Sequence, residues 1–239
     1  MILLQRSVAA GILILYVLLL RRMASGRLPK RTFAVLWKLA VLRLLLPFSV
    51  PVEINLVREW AEPILVLPET GMEMEMAEVQ DTGVVELVLQ NIDLIWFLGL
   101  IMAALFFLFG YVKAYLQFRE AIPIENTSND IYEKGFYERL TKGVKICVLD
   151  RLVTPITYGV FRPCIILPKT MEFADKAMLC YVLRHEMVHI KYRDNLWKLL
   201  AIIAFCLHWF NPLALMLLFF MNKDMEIACD ESVISDMRE

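Results

Sequence analysis

Two histidines and a glutamate within Tyr181–Ile190 have the spacing of a zinc-hydrolase motif. His185 and His189 are four residues apart, so on a helix they lie on one face and both imidazoles can bind one zinc ion. Glu186 follows the first histidine and can act as general base on a water at that zinc. Asp175 can cap the helix, and no Gly or Pro interrupts it. The alternative is an amphipathic helix whose two histidines have no catalytic role.

A catalytic zinc takes three protein ligands and keeps its fourth position for water, so a further ligand must come from elsewhere in the chain. Glu226 and Asp230 are again four apart on a predicted helix. Glu226 can ligate zinc, while Asp230 can accept the second N–H of a ligand histidine and fix its tautomer.

The apolar run Leu196–Met221 precedes these carboxylates and decides whether they can reach the histidines. As one helix it would be about 39 Å long, and a single crossing would leave Glu226 on the opposite side of the membrane from His185. Asn211-Pro212 divides it into two arms of about 20 Å, which suit a re-entrant hairpin. We therefore predict a hydrophobic helical hairpin over 196–221 with both ends cytoplasmic. A fourth span with a proline kink is the alternative.

Composition places the chain in a membrane. Of its 239 residues 59% are hydrophobic, its formal net charge is -1, and its mean hydropathy is +0.58. Every charged residue from Arg21 to Arg43 is basic, whereas from Glu53 to Asp93 all but Arg58 are acidic. This division indicates opposite sides of a bilayer and argues against direct nucleic-acid binding.

Three transmembrane helices are predicted, within 1–20, 32–52 and 92–111. The second contains Lys38 and Arg43, so an interfacial amphipathic helix is its alternative. The positive-inside rule puts the basic turn in the cytoplasm and both the N-terminus and the acidic loop 53–91 outside. We predict a multi-pass plasma-membrane protein with a membrane domain over 1–118 and a cytoplasmic domain over 119–239.

The cytoplasmic domain is predicted to be α+β. Ser128–Thr141 reads as a helix, Lys145–Asp150 as a strand, and Thr154–Pro168 as a β-hairpin. An edge strand of the hairpin can hold a peptide substrate beside the zinc helix, or it can simply cover the core. The substrate-binding residues themselves stay unknown at this point.

The five cysteines are odd in number and lack CxxC spacing. We interpret them as reduced thiols that pack as small apolar residues rather than as a disulfide framework. Cys229 lies close in sequence to Glu226, and packing is favoured there over a zinc–thiolate bond.

Four ordered motifs resemble the BlaR/MecR family of integral-membrane zinc metalloproteases, and the resemblance covers most of the chain. They are Gly159–Pro168, His185–His189 with Arg193-Asp194, Trp209–Pro212, and Glu226–Glu231. The resemblance implies a gluzincin-type protease with one zinc per chain, held by His185, His189 and Glu226. It also implies Glu186 as catalytic base, Asp230 as the aspartate that supports a ligand histidine, and the lipid bilayer as surroundings. We expect His208, beside the third motif, to be buried or interfacial rather than catalytic.

The resemblance also implies a function. Members of the family act as antirepressors: an outside signal activates the zinc site, which cleaves or triggers cleavage of a cytoplasmic DNA-binding repressor. The β-lactam receptors continue into an extracellular sensor domain, whereas this sequence stops at Glu239 and has no Ser-x-x-Lys. We therefore expect the sensor to be absent from these residues. Self-association into a homo-oligomer is left open.

Two other functions stay open from the sequence. One is a non-catalytic membrane signalling or scaffold protein with a structural zinc site. The other is a membrane protease of the CAAX prenyl-protein type, which shares the two-His helix and the Glu-x-x-x-Asp helix. The acidic outer loop and the smaller number of candidate spans argue against the second.

Overall fold

A computed structural model describes residues 2–24, 28–46, 91–124, 140–141, 143–171 and 175–238, with side chains from Ser7 onward. The acidic loop, the turn before Pro29 and nearly all of the predicted helix 128–141 lie outside these residues. The chain divides into two compact units, Met1–Leu46 with Gly99–Glu239 and Pro47–Leu98. Everything below concerns the first unit, except the first seven residues of the helix Ile92–Phe118.

Six helices and four strands are present among the described residues. The helices are α1 Ile2–Ala24, α2 Lys30–Leu45, α3 Ile92–Phe118, α4 Lys176–Lys191, α5 Asp194–Leu207 and α6 Pro212–Asp236. The strands are β1 Ile122–Pro123, β2 Lys145–Leu149, β3 Ile156–Tyr158 and β4 Cys164–Pro168. The protein is therefore mainly helical with a small sheet, in line with the predicted class.

Four helices share one apolar core. Each of the four helices contributes at least one alanine, which allows close approach, and larger side chains fill the remaining space. The fully buried members include Ile14, Trp37, Val41, Ala201, Ala204, Leu217, Met221 and Met225. This packing fixes α6, which carries Glu226, against the two N-terminal helices.

The sheet has strand order β1-β2-β4-β3, so β3 is an edge strand beside β4. β3 and β4 pair antiparallel, with Thr157 opposite Ile165, which confirms the predicted hairpin. The predicted strand from Lys145 is also confirmed and pairs parallel with β4. Ile165 and Leu167 of β4 pack on Leu179 and Leu183 of α4. The sheet thus lies directly against the helix that carries the two histidines.

Gly159 makes the turn of the hairpin possible. Its φ is 96°, a left-handed value that disfavours any side chain. A Cβ here would lie 2.7 Å from the carbonyl oxygen of Arg162, closer than atoms of the two residues can approach. The turn therefore requires glycine, and it allows β4 to pair antiparallel with β3.

The apolar run 196–221 folds as two helices with a break before Pro212, where the sequence predicted the turn of a hairpin. Its re-entrant course in the membrane stays a prediction. α5 ends at Leu207, Asn211 caps α6 by accepting from the Leu213 N–H, and Pro212 occupies the first helical turn. The second arm does not stop at Met221, because α6 continues to Asp236 as one helix of 25 residues. His208 in the turn is buried, and its Nε2 lies 3.3 Å from the carbonyl oxygen of Leu44.

Two helices in the described part of the chain are long and apolar enough to cross a membrane: Ser7–Ala24 of α1, and α3. α2 is not among them, since its 16 residues span only about 24 Å. The apolar faces that α1 and α3 leave exposed include Val8, Ile12, Tyr16, Met102, Phe106 and Phe109.

Candidate metal centre

Helix α4 presents both histidines of the motif on one face. Asp175 begins the helix as predicted, accepting hydrogen bonds from the backbone N–H groups of Ala177 and Met178 at 3.0 Å. The Nε2 atoms of His185 and His189 lie 3.2 Å apart. The two imidazoles therefore converge on one point beside the helix.

Glu226 reaches that point from α6. Its Oε2 lies 3.5 Å from Nε2 of His185 and 3.3 Å from Nε2 of His189. Ligand atoms held tetrahedrally at about 2.05 Å from zinc are about 3.3 Å from one another. All three separations agree with that value, so the donor set fits a zinc ion without rearrangement.

Each histidine is held by a carboxylate on its other nitrogen. Nδ1 of His185 lies 3.1 Å from Asp230, and Nδ1 of His189 lies 2.9 Å from Asp194. With Nδ1–H donating to the carboxylate, the Nε2 lone pair is directed at Glu226 and the metal position. The hydroxyl of Tyr181 donates to the same oxygen of Asp230 at 3.2 Å.

Asp230 was predicted from the sequence to support a ligand histidine, whereas Asp194 was noted only as part of a motif and was given no role. A signal was present, since Asp194 lies five residues after His189 and begins a largely apolar helix. Arg193 precedes it with a left-handed φ of 51°, which reverses the chain between α4 and α5. That reversal returns the carboxylate to the imidazole, and helical periodicity alone does not reveal it.

The charges of the site stabilise one another. Hydrogen bonds with His185 and His189 hold the pKa of Glu226 well below its usual range. Burial lowers the pKa of His189, but hydrogen bonds with Asp194, Cys229 and Glu226 outweigh burial and raise it to about 12. The hydrogen bond with Glu226 likewise raises the pKa of His185. Such a carboxylate-rich pocket attracts a divalent cation, which competes with protons for the same nitrogens.

Cys229 forms part of a second cluster, with His189 and Asp194. Its Sγ lies 3.4 Å from Nδ1 of His189, and burial raises the pKa of the thiol. All three residues are buried, and Nδ1 is already bonded to Asp194. The set around Glu226 therefore suits a catalytic metal better, because it alone borders solvent, with Glu226 49% exposed.

The carboxylate of Glu186 faces the edge strand. It is buried, and its Oε2 accepts a hydrogen bond of 2.6 Å from the Thr157 hydroxyl on β3. Asn195 of α5 ties the strand down by donating from Nδ2 to the carbonyls of Thr157 at 2.9 Å and Gly159 at 3.2 Å. Neither residue was foreseen, since a threonine in a strand and an asparagine in a helix carry no distinctive spacing.

Lys198 approaches Glu226 from α5. Its Nζ lies 3.3 Å from Oε1, the oxygen of Glu226 that does not face the histidines. The two oxygens of the Glu226 carboxylate therefore have different partners: Oε2 faces the imidazoles, and Oε1 faces the ammonium group of Lys198. This favours a metal bound through one oxygen of Glu226.

Comparison with known proteins gives the family of the chain. The chain is 32% identical over 155 residues to the regulatory protein BlaR1 of Bacillus licheniformis, covering 60% of this chain and 24% of that protein. It is 26% identical over 150 residues to the methicillin resistance mecR1 proteins of Staphylococcus aureus and Staphylococcus epidermidis, covering 59% of this chain and 24% of each relative. It thus spans about a quarter of the length of these curated relatives. The sequence model of the BlaR1 peptidase M56 family matches residues 1–239, and the chain therefore belongs to that family of membrane metallopeptidases.

Proposed function

We propose that the chain is a membrane-embedded zinc endopeptidase of the signal-transducing antirepressor type. Its substrate class is a cytoplasmic protein such as a DNA-binding repressor, which it cleaves or whose cleavage it triggers. The observation that carries the proposal is the convergence of His185, His189 and Glu226 at tetrahedral ligand spacing, next to a buried Glu186.

The residues divide the work of peptide hydrolysis. Zinc held by His185, His189 and Glu226 supplies a Lewis acid for the scissile carbonyl. Glu186 accepts a proton from the attacking water and delivers it to the nitrogen of the leaving amine. Thr157 fixes the Glu186 carboxylate through the hydrogen bond to Oε2, so the base is oriented before substrate arrives.

The edge strand β3 is the proposed place for the substrate backbone. It lies at the end of the sheet and touches the base through Thr157. An extended peptide adding to β3 would lie along the metal site. Phe161 in the adjoining turn is 93% exposed, and it offers an apolar contact for a substrate side chain.

The proposed topology keeps the metal site in the cytoplasm. Arg21 at the end of α1 pairs with Asp224, and Arg31 of α2 lies over the ring of Tyr192 at 3.8 Å. The basic region between α1 and α2 therefore lies on the same side as α4 and α6. The positive-inside rule makes that side cytoplasmic. The proposal further includes three spans (α1, α2 and α3), an outside N-terminus and acidic loop, a re-entrant α5–α6 hairpin, and a gluzincin-like fold for the domain 119–239.

Two variants test this function. Glu186→Gln removes the base without removing a ligand, and Glu226→Ala removes a ligand. Purified in detergent, the wild-type chain and Glu186→Gln are expected to hold about one zinc each and Glu226→Ala much less. Glu231→Gln, five residues further along α6, is the matched control and should match wild type.

Activity is read from new protein N-termini in cells that express each variant. Cleavage products should appear with the wild type and Glu231→Gln, and should be missing with the other two. A Glu186→Gln protein that still generates the same termini would refute the assignment of the base. Full zinc occupancy of the wild type without any cleavage would favour a signalling scaffold with a structural metal.

A further inference from the structure

We propose that Lys38 of α2 is a positioning residue of the metal centre, acting on His189 through Asp194. The proposal rests on the proposed function only in taking His189 as a metal ligand. It gives a role to a lysine that stands in an apolar helix, where an unpaired charge is costly.

The contacts form a short chain. Nζ of Lys38 lies 3.1 Å from Oδ1 of Asp194, while Oδ2 of the same carboxylate lies 2.9 Å from Nδ1 of His189. Lys38 also donates to the carbonyl of Tyr192 at 3.4 Å. The two oxygens of Asp194 are thereby shared between a membrane-side helix and a ligand imidazole.

Burial makes the pairing effective. The side chains of Lys38 and Asp194 are only 16% and 4% exposed, so water screens their interaction weakly. Without the lysine, the carboxylate would keep the hydrogen bond between Oδ2 and His189, but Oδ1 would lose its ion pair. It would then turn or recruit water, and the imidazole would lose its fixed orientation.

The helix that carries Lys38 is itself held in place. The indole N–H of the neighbouring Trp37 donates to Oδ2 of Asp224 at 2.8 Å, and Nε of Arg21 bonds both oxygens of that carboxylate at 2.9 and 3.0 Å. Asp224 lies on α6, two residues before Glu226. A displacement of α2 would therefore move two of the proposed ligands: His189 through Asp194, and Glu226 through α6.

The test is zinc affinity, measured on the full chain in detergent by competition with a chromogenic chelator. Loss of a group that orients a ligand typically weakens metal binding by 10- to 100-fold, and Lys38 acts one contact further out. We expect Lys38→Met to raise the zinc dissociation constant about tenfold. Lys38→Arg, which keeps the charge, should stay within about threefold of wild type. Arg31→Met, on the same helix but stacked on the Tyr192 ring, is the matched control and should change nothing.

A double-mutant cycle shows whether the effect passes through Asp194. In an Asp194→Asn background, Lys38→Met should weaken zinc binding by less than about twofold, because the route to His189 is already broken. A Lys38→Met affinity within twofold of wild type would overturn the proposal, as would an equal loss in both backgrounds. If Lys38→Met does not fold, Lys38→Gln replaces it in the cycle, with the same expected changes in the zinc dissociation constant. Zinc affinity that depends on Lys38 in a chain without peptidase activity would refute the proposed function and leave this inference standing.

Discussion

Replacing Asp224 by asparagine is expected to destabilise the protein strongly, because this carboxylate joins α6 to α1 and α2. It is 5% exposed and accepts from Arg21 and Trp37. Removing one partner of a buried ion pair costs about 3–5 kcal/mol. Arg21 is 23% exposed and asparagine keeps one acceptor, so we expect about 2–3 kcal/mol here. For a chain of this size that corresponds to a fall in Tm of roughly 4–12 °C.

The assay is thermal unfolding in detergent with zinc held in excess. Asp150→Asn is the matched control, because it makes the same chemical change in an ion pair whose side chains are 68% and 70% exposed. Exposed pairs contribute about 0–1 kcal/mol, so the control should shift Tm by only a few degrees at most. If the two variants unfold within about 2 °C of each other, the idea that Asp224 holds the N-terminal helices to α6 is wrong.

Two further predictions concern the sheet beside the candidate metal site. Thr157→Val should lower kcat about tenfold, because it removes a hydrogen bond to the Glu186 carboxylate worth about 1.4 kcal/mol. The zinc content of this variant should equal that of the wild type, and the exposed control Thr154→Val should keep the wild-type kcat. An unchanged kcat in Thr157→Val would contradict the proposed orientation of the base. The hydrogen bond from Cys164 lowers the pKa of Cys147 to about 7, and the thiolate is the reactive form. The rate at which iodoacetamide alkylates Cys147, followed by mass spectrometry, should therefore increase with pH with a midpoint near pH 7. Cys164→Ala should move that midpoint to higher pH. A midpoint that the substitution leaves unchanged would contradict this prediction.

Features with local causes could be predicted from the sequence. The cap at Asp175, the helical spacing around His185, and the break at Asn211-Pro212 each depend on a few neighbouring residues. The position of Glu226 beside the histidines could also be predicted, because a reversal of the apolar run at Asn211-Pro212 brings the following helix back toward them. The five cysteines are free in the structure.

Features with distant partners could not be predicted. β2 lies between β1 and β4, and neither the two-residue strand β1 nor the parallel pairing leaves a periodic pattern. The thiols of Cys147 and Cys164 lie 3.2 Å apart because that pairing brings β2 beside β4. The role of Lys38 was equally hidden, since its carboxylate partner is 156 residues away in the chain.

Because α6 is one unbroken helix from Pro212 to Asp236, the number of residues in its apolar half determines the direction in which Glu226 points. A helix advances about 100° per residue, so gaining or losing one residue between Pro212 and Glu226 would swing the carboxylate around the axis and away from the imidazoles. Such a change would leave the hydrophobicity of the segment almost untouched. The number of residues in this apolar stretch is therefore constrained as strictly as the identity of the glutamate that follows it.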